Sequence, residues 1–360
     1  MLRFLCEGPH TQDRRTLAQP PAPVCARDNL WITKSPEDLL WITRTTASGP
    51  DTVEGMAGLK AIPGFEVAGP QVTYRNYTRS DYQRVLRGVY ARGAALDGLD
   101  AWERRQVEFI RRARAAMEVY APRGAVLYGS TALQVMGVSL PHALEDWDRI
   151  HILVPHGASR GRRHGIVFHQ ARNPLVVWRM VYAMAVLHPV EHWMQLTGAT
   201  DDQMVEVGDG FLRRKDPWLT RDEMSARIDS YSDLTGIRQA RRVFPLVMAG
   251  TDSLPETTVR LILVRAGLPT PLVNPEVYCP GVGIPFHIDM GYEPEKIAIE
   301  YDGADHTNRF QMQQDALKRR SLQDERWLVI TVTAADLRRA PQVAASVETA
   351  LVMRRAALAL

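Results

Sequence analysis

The chain has 360 residues, 45% apolar and 24% charged, with a formal net charge of +3. This is the composition of a soluble globular protein able to bury a core in each of two domains, and the modest charge does not by itself announce a nucleic-acid binder, so any basic surface must be argued locally. Three scattered cysteines with no CxxC pair exclude a disulfide framework and a zinc signature, and no apolar run reaches the length of a membrane span.

Only five of the 44 basic residues are lysine, a bias that a GC-rich genome and the use of guanidinium forks on phosphates would both produce and that composition does not separate. With no export signal legible after Arg14–Arg15, the expectation is a cytoplasmic protein.

Residues 1–55 are rich in Pro, Thr, Ser and charge and lack a sustained period, which reads as a poorly ordered tail. Within it the near-repeat Leu30-Trp31-Ile32-Thr33 and Leu40-Trp41-Ile42-Thr43 leaves a short hairpin open. An upstream extension of the reading frame, with Met56 as the start, is also open. In the short basic unit that follows, Thr78 to Leu86 is expected as a helix capped by Thr78, with Gly88-Val89-Tyr90 as the strand of a wing.

The clearest helix spans Trp102 to Tyr120, where Val107, Ile110, Ala113, Met117 and Tyr120 recur at three and four residues. Arg104, Arg105, Arg111, Arg112 and Arg114 fall mostly on its solvated side. Pro122 and Gly124 stop it. Ala125 to Tyr128 and Arg149 to Val154 read as strands, and the loop Ala158 to Gly165, with Arg160, Arg162 and Arg163, as an exposed basic hairpin tip. Residues 172–250 read as mainly helical, with Asp216-Pro217 and Thr220 as breakers and caps. Pro255 then opens a helix over Glu256 to Ala266.

Further on, Pro285 to Asp289 alternates, with Phe286 and Ile288 on one side and His287 and Asp289 on the other. After an expected turn over Gly291 to Glu295, Ile297 to Asp302 alternates again. Ile297, Ile299 and Tyr301 take the core face, while Glu300 and Asp302 share the opposite one. Such a hairpin gathers Asp289, Glu300 and Asp302 on one surface. Clustered carboxylates raise one another's pKa unless a cation holds them, and hard oxygen ligands suit Mg²⁺ or Mn²⁺. His306, four residues past Asp302, is a candidate for proton transfer or phosphate contact. A helix over Arg309 to Arg326 carries Asp315, Lys318, Arg319 and Arg320, and a strand and a final helix close the chain.

The ordered pattern Pro255-Glu256-Thr257, Asp289, Glu300-Tyr301-Asp302-Gly303-Ala304-Asp305-His306, Asp315 and Trp327-Leu328-Val329-Ile330 resembles the very-short-patch-repair-like endonucleases, a branch of the PD-(D/E)XK nucleases. The likeness covers about residues 250–352. It implies a mixed sheet flanked by helices, a divalent cation and hydrolysis of DNA. By position it makes Asp289 and Glu300 metal ligands and adds Glu256 from the first helix. Asp302 stands where many nucleases of this fold place lysine and is taken as a further ligand.

The earlier part resembles the AbiEi-like proteins of type IV toxin–antitoxin systems, through Arg87-Gly88-Val89-Tyr90, Gly129-Ser130-Thr131-Ala132-Leu133, His169 and Val205-Glu206-Val207-Gly208-Asp209. The resulting layout is α/β (α+β): a tail over 1–55, a winged-helix-like remnant over 56–95, a connecting domain over 96–250 and a restriction-endonuclease-like domain over 251–360. The expected function is a metal-dependent DNA endonuclease, with Arg160, Arg162, Arg163, Lys318, Arg319 and Arg320 contacting DNA and self-association open. Two alternatives stand beside it. One is a non-catalytic DNA-binding regulator of antitoxin type. The other is a nucleotidyltransferase using Gly129-Ser130 and Asp146-Trp147-Asp148.

Overall fold

The computed structural model describes residues 82–86, 89–92, 98–158, 161–303 and 309–358, with side chains from residue 98 onward except in 309–312. These residues belong to one compact unit, Gly49–Leu360. The expected tail, His306 and Arg160 lie outside the described residues.

The fold is mixed α and β. Strands β1 (Tyr82–Leu86) and β2 (Val89–Arg92) form an antiparallel pair, so the helix expected to run to Leu86 is corrected to a strand over its second half. Tyr82 and Val85 are strand formers, as are Val89 and Tyr90, and the register runs from Tyr82 opposite Arg92 to Leu86 opposite Val89.

Helix α1 (Ala101–Tyr120) starts at Asp100, whose side chain and that of Glu103 close a reciprocal capping box. It buries more than the expected stripe, because Phe109, Ala115 and Ala116 are also inside. Arg111 is buried as well, a correction to the solvated face expected for it, and burial lowers its pKa.

The helix packs on a three-stranded sheet of β3 (Val126–Leu127), β4 (Ile150–Val154) and β5 (Ile166–Gln170). Strands β4 and β5 run parallel, from Ile150 opposite Ile166 to Val154 opposite Gln170. The basic loop is therefore a return crossover and not a hairpin tip. Parallel neighbours need a long connection, and residues 155–165 supply it.

Helix α2 (Gly129–Val135) follows β3. A small hairpin, β6 (Arg179–Val181) and β7 (Met184–Val186), interrupts the region expected to be mainly helical. Its turn residues Tyr182 and Ala183 sit at positive φ, a conformation that neither residue type announces. Helices α3 (Pro189–Met194), α4 (Asp201–Phe211), α5 (Arg221–Asp229) and α6 (Ile237–Val243) complete this half. Capping boxes at Thr200 and Thr220 fix two of their starts.

Helix α7 (Leu254–Arg265) is a shared wall. Its Leu261 belongs to the first core, whereas Val259 and Leu263 belong to the second. Asp209 of α4 accepts from Arg260 Nη2 (2.7 Å), Thr257 Oγ1 (2.9 Å) and the Met248 amide (2.7 Å). Asp209 and Arg260 are both fully buried.

The second core surrounds a sheet ordered β13-β12-β11-β8, built from β8 (Leu272–Val273), β11 (Met290–Tyr292), β12 (Ile297–Asp302) and β13 (Leu328–Thr333). β12 and β13 are parallel and joined through α8 (Arg309–Asp324); the other pairs are antiparallel. Ile297 and Ile299 face α7 and the last long helix, α10 (Ala340–Leu358), which follows the short α9 (Ala334–Leu337). Ala298, between them, faces the other side, with Leu322 of α8, Ile288 and Val277. The β9 (Glu276–Cys279) and β10 (Ile284–His287) hairpin covers part of that second face.

Candidate active site

Four elements converge where β11 and β12 begin to separate. Strand β10 ends at His287, the Ile288 amide donates to the Pro275 carbonyl (3.1 Å), and the Asp289 carbonyl accepts from the Asn274 amide (2.9 Å). The chain bends here, so Phe286 and Ile288 stay in one core cluster. His287, by contrast, stays exposed with its ring 3.9 Å from Glu276, apart from Asp289. Gly291, expected in a turn, is a strand residue. A Cβ there would meet Ile288 Cδ1 at 2.8 Å and Pro275 Cγ at 3.3 Å, so glycine lets the bend close onto β11 without displacing those side chains. The turn comes after Tyr292, where the Lys296 amide donates to the Glu293 carbonyl.

Past the last backbone pair, Met290 opposite Ile299, the Asp289 side chain takes over the ladder: its Oδ2 accepts the Tyr301 amide at 2.7 Å. That bond pins Asp289 beside Glu300. Glu300 points to the α8 side of the sheet, where its Oε2 accepts from Lys318 Nζ at 2.7 Å. Its Oε1 is buried with no hydrogen-bond partner. Glu256, on the first turn of α7, is buried. Its Oε2 accepts the Asp252 amide (2.9 Å) and Asn274 Nδ2 (3.3 Å), and its Oε1 accepts the Ser253 hydroxyl (2.8 Å).

The electrostatics follow from burial and like charge. Burial, then the neighbouring Asp289, push Glu256 up from 4.5 to about 7. Burial and Asp289 likewise push Glu300 to about 7, against the pull of Lys318. Burial raises Asp289 too, although the Tyr301 amide and Lys318 pull it down. Three carboxyls that resist ionisation together are short of positive charge.

The donor set fits a hard divalent cation: it is all oxygen, and one carboxylate oxygen is buried without a partner. Each carboxyl is also held by its own protein partners, and among the described residues no group of three or more His, Cys, Asp or Glu side chains is placed to hold a metal ion as it stands.

Asp302 ends β12, opposite Thr333, and is half-buried. With Glu300, Lys318, Arg319, Arg320 and Thr331 it lines an open pocket of about 480 Å³. Of the residues expected at the site, the structure thus brings together Asp289, Glu300, Glu256 and Lys318, and places Asp302, Arg319 and Arg320 around the adjoining pocket. Arg162 and Arg163 lie elsewhere. Arg162 is exposed on the β4–β5 crossover, and Arg163 sits 5.8 Å from the Tyr120 ring centre. Sequence reading missed the supporting residues Ser253, Asn274 and Asp252. The Ser253-x-x-Glu256 spacing, a helix-start signature, was the available signal.

Of the residues expected for a nucleotidyltransferase, Gly129, Ser130 and Asp146 line a separate pocket of about 300 Å³, whose lining does not include Asp148. Asp146 and Asp148 precede β4, and Trp147 between them is buried. Asp146 Oδ2 is engaged by Arg149 Nε (2.8 Å) and His151 Nε2 (2.9 Å), and His151 Nδ1 lies 2.9 Å from His169 Nε2.

No family model matches the chain, and no solved structure does. The chain is similar to an uncharacterized protein found in two strains of Mycobacterium tuberculosis. The likeness is 26% identity over 231 residues, 63% of this chain and 81% of the relative.

Proposed function

We propose that this protein is a divalent-metal-dependent endonuclease that hydrolyses DNA phosphodiesters at the Glu256–Asp289–Glu300 cluster. The observation that carries the reading is the Asp289–Tyr301 bond, which locks one acid beside another at the diverging end of a mixed sheet. A buried acid from α7 and a lysine from α8 stand next to that pair.

Glu256, Asp289 and Glu300 would hold Mg²⁺ or Mn²⁺. Such an ion, when bound, supplies Lewis-acid charge to the phosphoryl group and lowers the pKa of water. The chain's own residues do the rest. Lys318 brings an ammonium to the Glu300 carboxylate from α8, which offsets the lysine missing at Asp302 on the strand. From there it can orient a nucleophilic water and balance charge developing on the phosphate. Asp302 flanks that position. Arg319 and Arg320, exposed on the same helix, offer guanidinium forks to the DNA backbone. The basic crossover residues Arg162 and Arg163 would reach DNA only at a second contact.

The test is cleavage of supercoiled plasmid and of single-stranded DNA with Mg²⁺ or Mn²⁺, comparing wild type with Asp289→Ala and Glu300→Ala. Metal-dependent cutting by wild type, abolished in both variants and by EDTA, is the expected result. A wild type that binds DNA but never cuts it would overturn the proposal in favour of a DNA-binding regulator.

A further inference from the structure

The acidic cluster draws one charged group from the helical half of the molecule. Arg214 lies between α4 and α5, and its Nε donates to Asp252 Oδ2 at 3.0 Å, with Nη2 on the same oxygen. Both side chains keep about 30% exposure, 30% for Arg214 and 31% for Asp252. The pair sits against the site: the Asp252 amide holds Glu256 Oε2, and the charges of Asp252 and Arg214 both act on Asp289, with opposite signs.

Four acids (Asp252, Glu256, Asp289 and Glu300) therefore share two cations, Lys318 from α8 and Arg214 from the helical half. A DNA backbone entering here meets repulsion unless those cations can turn to it. Lys318 is committed to Glu300. Arg214 is on a partly exposed partner, and such solvent-screened pairs contribute little, so exchanging the carboxylate for a phosphate costs little. Guanidinium matches phosphate with the same two-pronged geometry it offers a carboxylate.

We propose that Arg214 is a phosphate-binding residue of this site, parked on Asp252 in the free protein and passed to a DNA backbone phosphate beside the carboxylate cluster on binding. The proposal rests on the nuclease reading for the identity of the polyanion. It makes the helical half part of the site, and it gives Asp252 a second role as a competitor for Arg214.

The test is fluorescence anisotropy of a labelled DNA duplex with the full chain in EDTA, so that binding is read without cleavage. Arg214→Ala should weaken binding about threefold to tenfold, which is about 0.7–1.4 kcal/mol. Asp252→Asn, which keeps the amide bond to Glu256, should tighten it by about threefold, because it frees Arg214 and removes one repelling charge. Arg214→Lys should fall between wild type and Arg214→Ala. Opposite signs are the signature, since a merely structural ion pair would shift both variants the same way. Equal or absent effects overturn the proposal, whether or not wild type cuts DNA. Opposite signs with no Mn²⁺-dependent cleavage by wild type would leave the phosphate clamp standing and remove the nuclease reading.

Discussion

Replacing Glu300 with Gln should stabilise the metal-free protein at pH 8 and leave it little changed at pH 5. In the folded chain Glu300 titrates at about 7, against an ordinary 4.5, because it is buried beside Asp289. The native state therefore binds more protons than the unfolded chain between those two values. A carboxyl raised in this way contributes stability that is present below 4.5 and lost as pH rises through about 7. At 1.36 kcal/mol for each pH unit between the two values, the full loss is ~3 kcal/mol. Removing the charge leaves Lys318 to turn toward solvent, so a net gain of about 1–3 kcal/mol at pH 8 is expected. The assay is thermal unfolding of wild type and Glu300→Gln in EDTA from pH 5 to 8.5, where each kcal/mol moves the midpoint by about 2–4 °C.

The comparison between the two proteins matters, because the histidines pull the other way. Burial depresses His192 to about 3 and His188 to about 4, so they add stability as pH rises toward 6.5. Those terms cancel in the difference. Saturating Mn²⁺ should raise the wild-type midpoint at pH 8 and raise that of Glu300→Gln much less. Curves for the two proteins that run parallel across the whole range would refute the electrostatic reasoning.

Asp289→Asn and Glu256→Gln should each lower metal-dependent cleavage by about 100-fold or more while leaving duplex binding in EDTA intact or tighter; paired cleavage and anisotropy assays check both halves. Lys318→Ala should lower kcat by about 10²–10³-fold, the loss seen when one preorganised charge at a reacting group is removed, and a change confined to KM would assign Lys318 to binding alone. Asp209→Asn strands the buried Arg260 charge and should cost about 3–5 kcal/mol in urea unfolding, whereas a cost below about 1 kcal/mol would mean the pair is not isolated from water. Replacing Arg319 and Arg320 together should reduce the salt dependence of binding by roughly one to two phosphate contacts, read as the slope of log Kd against log salt.

The carboxylates were legible because strand alternation is a local property. Ile297, Ile299 and Tyr301 against Glu300 and Asp302 sorts the faces of β12 without any knowledge of the rest of the chain, and the structure keeps that sorting. The bend at Ile288–Asp289 was not legible. It depends on contacts with Asn274 and Pro275 and on the space left by Gly291, and a glycine in a strand reads first as a turn. The same limit misplaced the basic loop: a polar segment between two apolar strands looks like a hairpin, and only the register of β4 against β5 shows that the strands run parallel. The positive-φ turn at Tyr182-Ala183 carries no residue that favours it.

The least legible feature is the one that joins the two halves. Residues about 50 apart in sequence, Asp209 and Arg260, meet in a fully buried ion pair on facing helices. Neither residue's own spacing identifies the other. Yet that contact sits one turn beyond Glu256 on α7, and Arg214 reaches the same helix start through Asp252. A boundary drawn at residue 250, from the helix that Pro255 opens and the extent of the endonuclease likeness, therefore falls just ahead of the segment on which the proposed site depends. Cutting the chain there should not release an active C-terminal fragment. It would expose Leu261 and strip Arg260 of its only acid, Asp209, among the described residues, so the isolated fragment should lose both its α7 packing and the placement of Glu256. A soluble, folded fragment 251–360 that cleaves DNA as well as the whole chain would show that the shared helix is held by the second core alone.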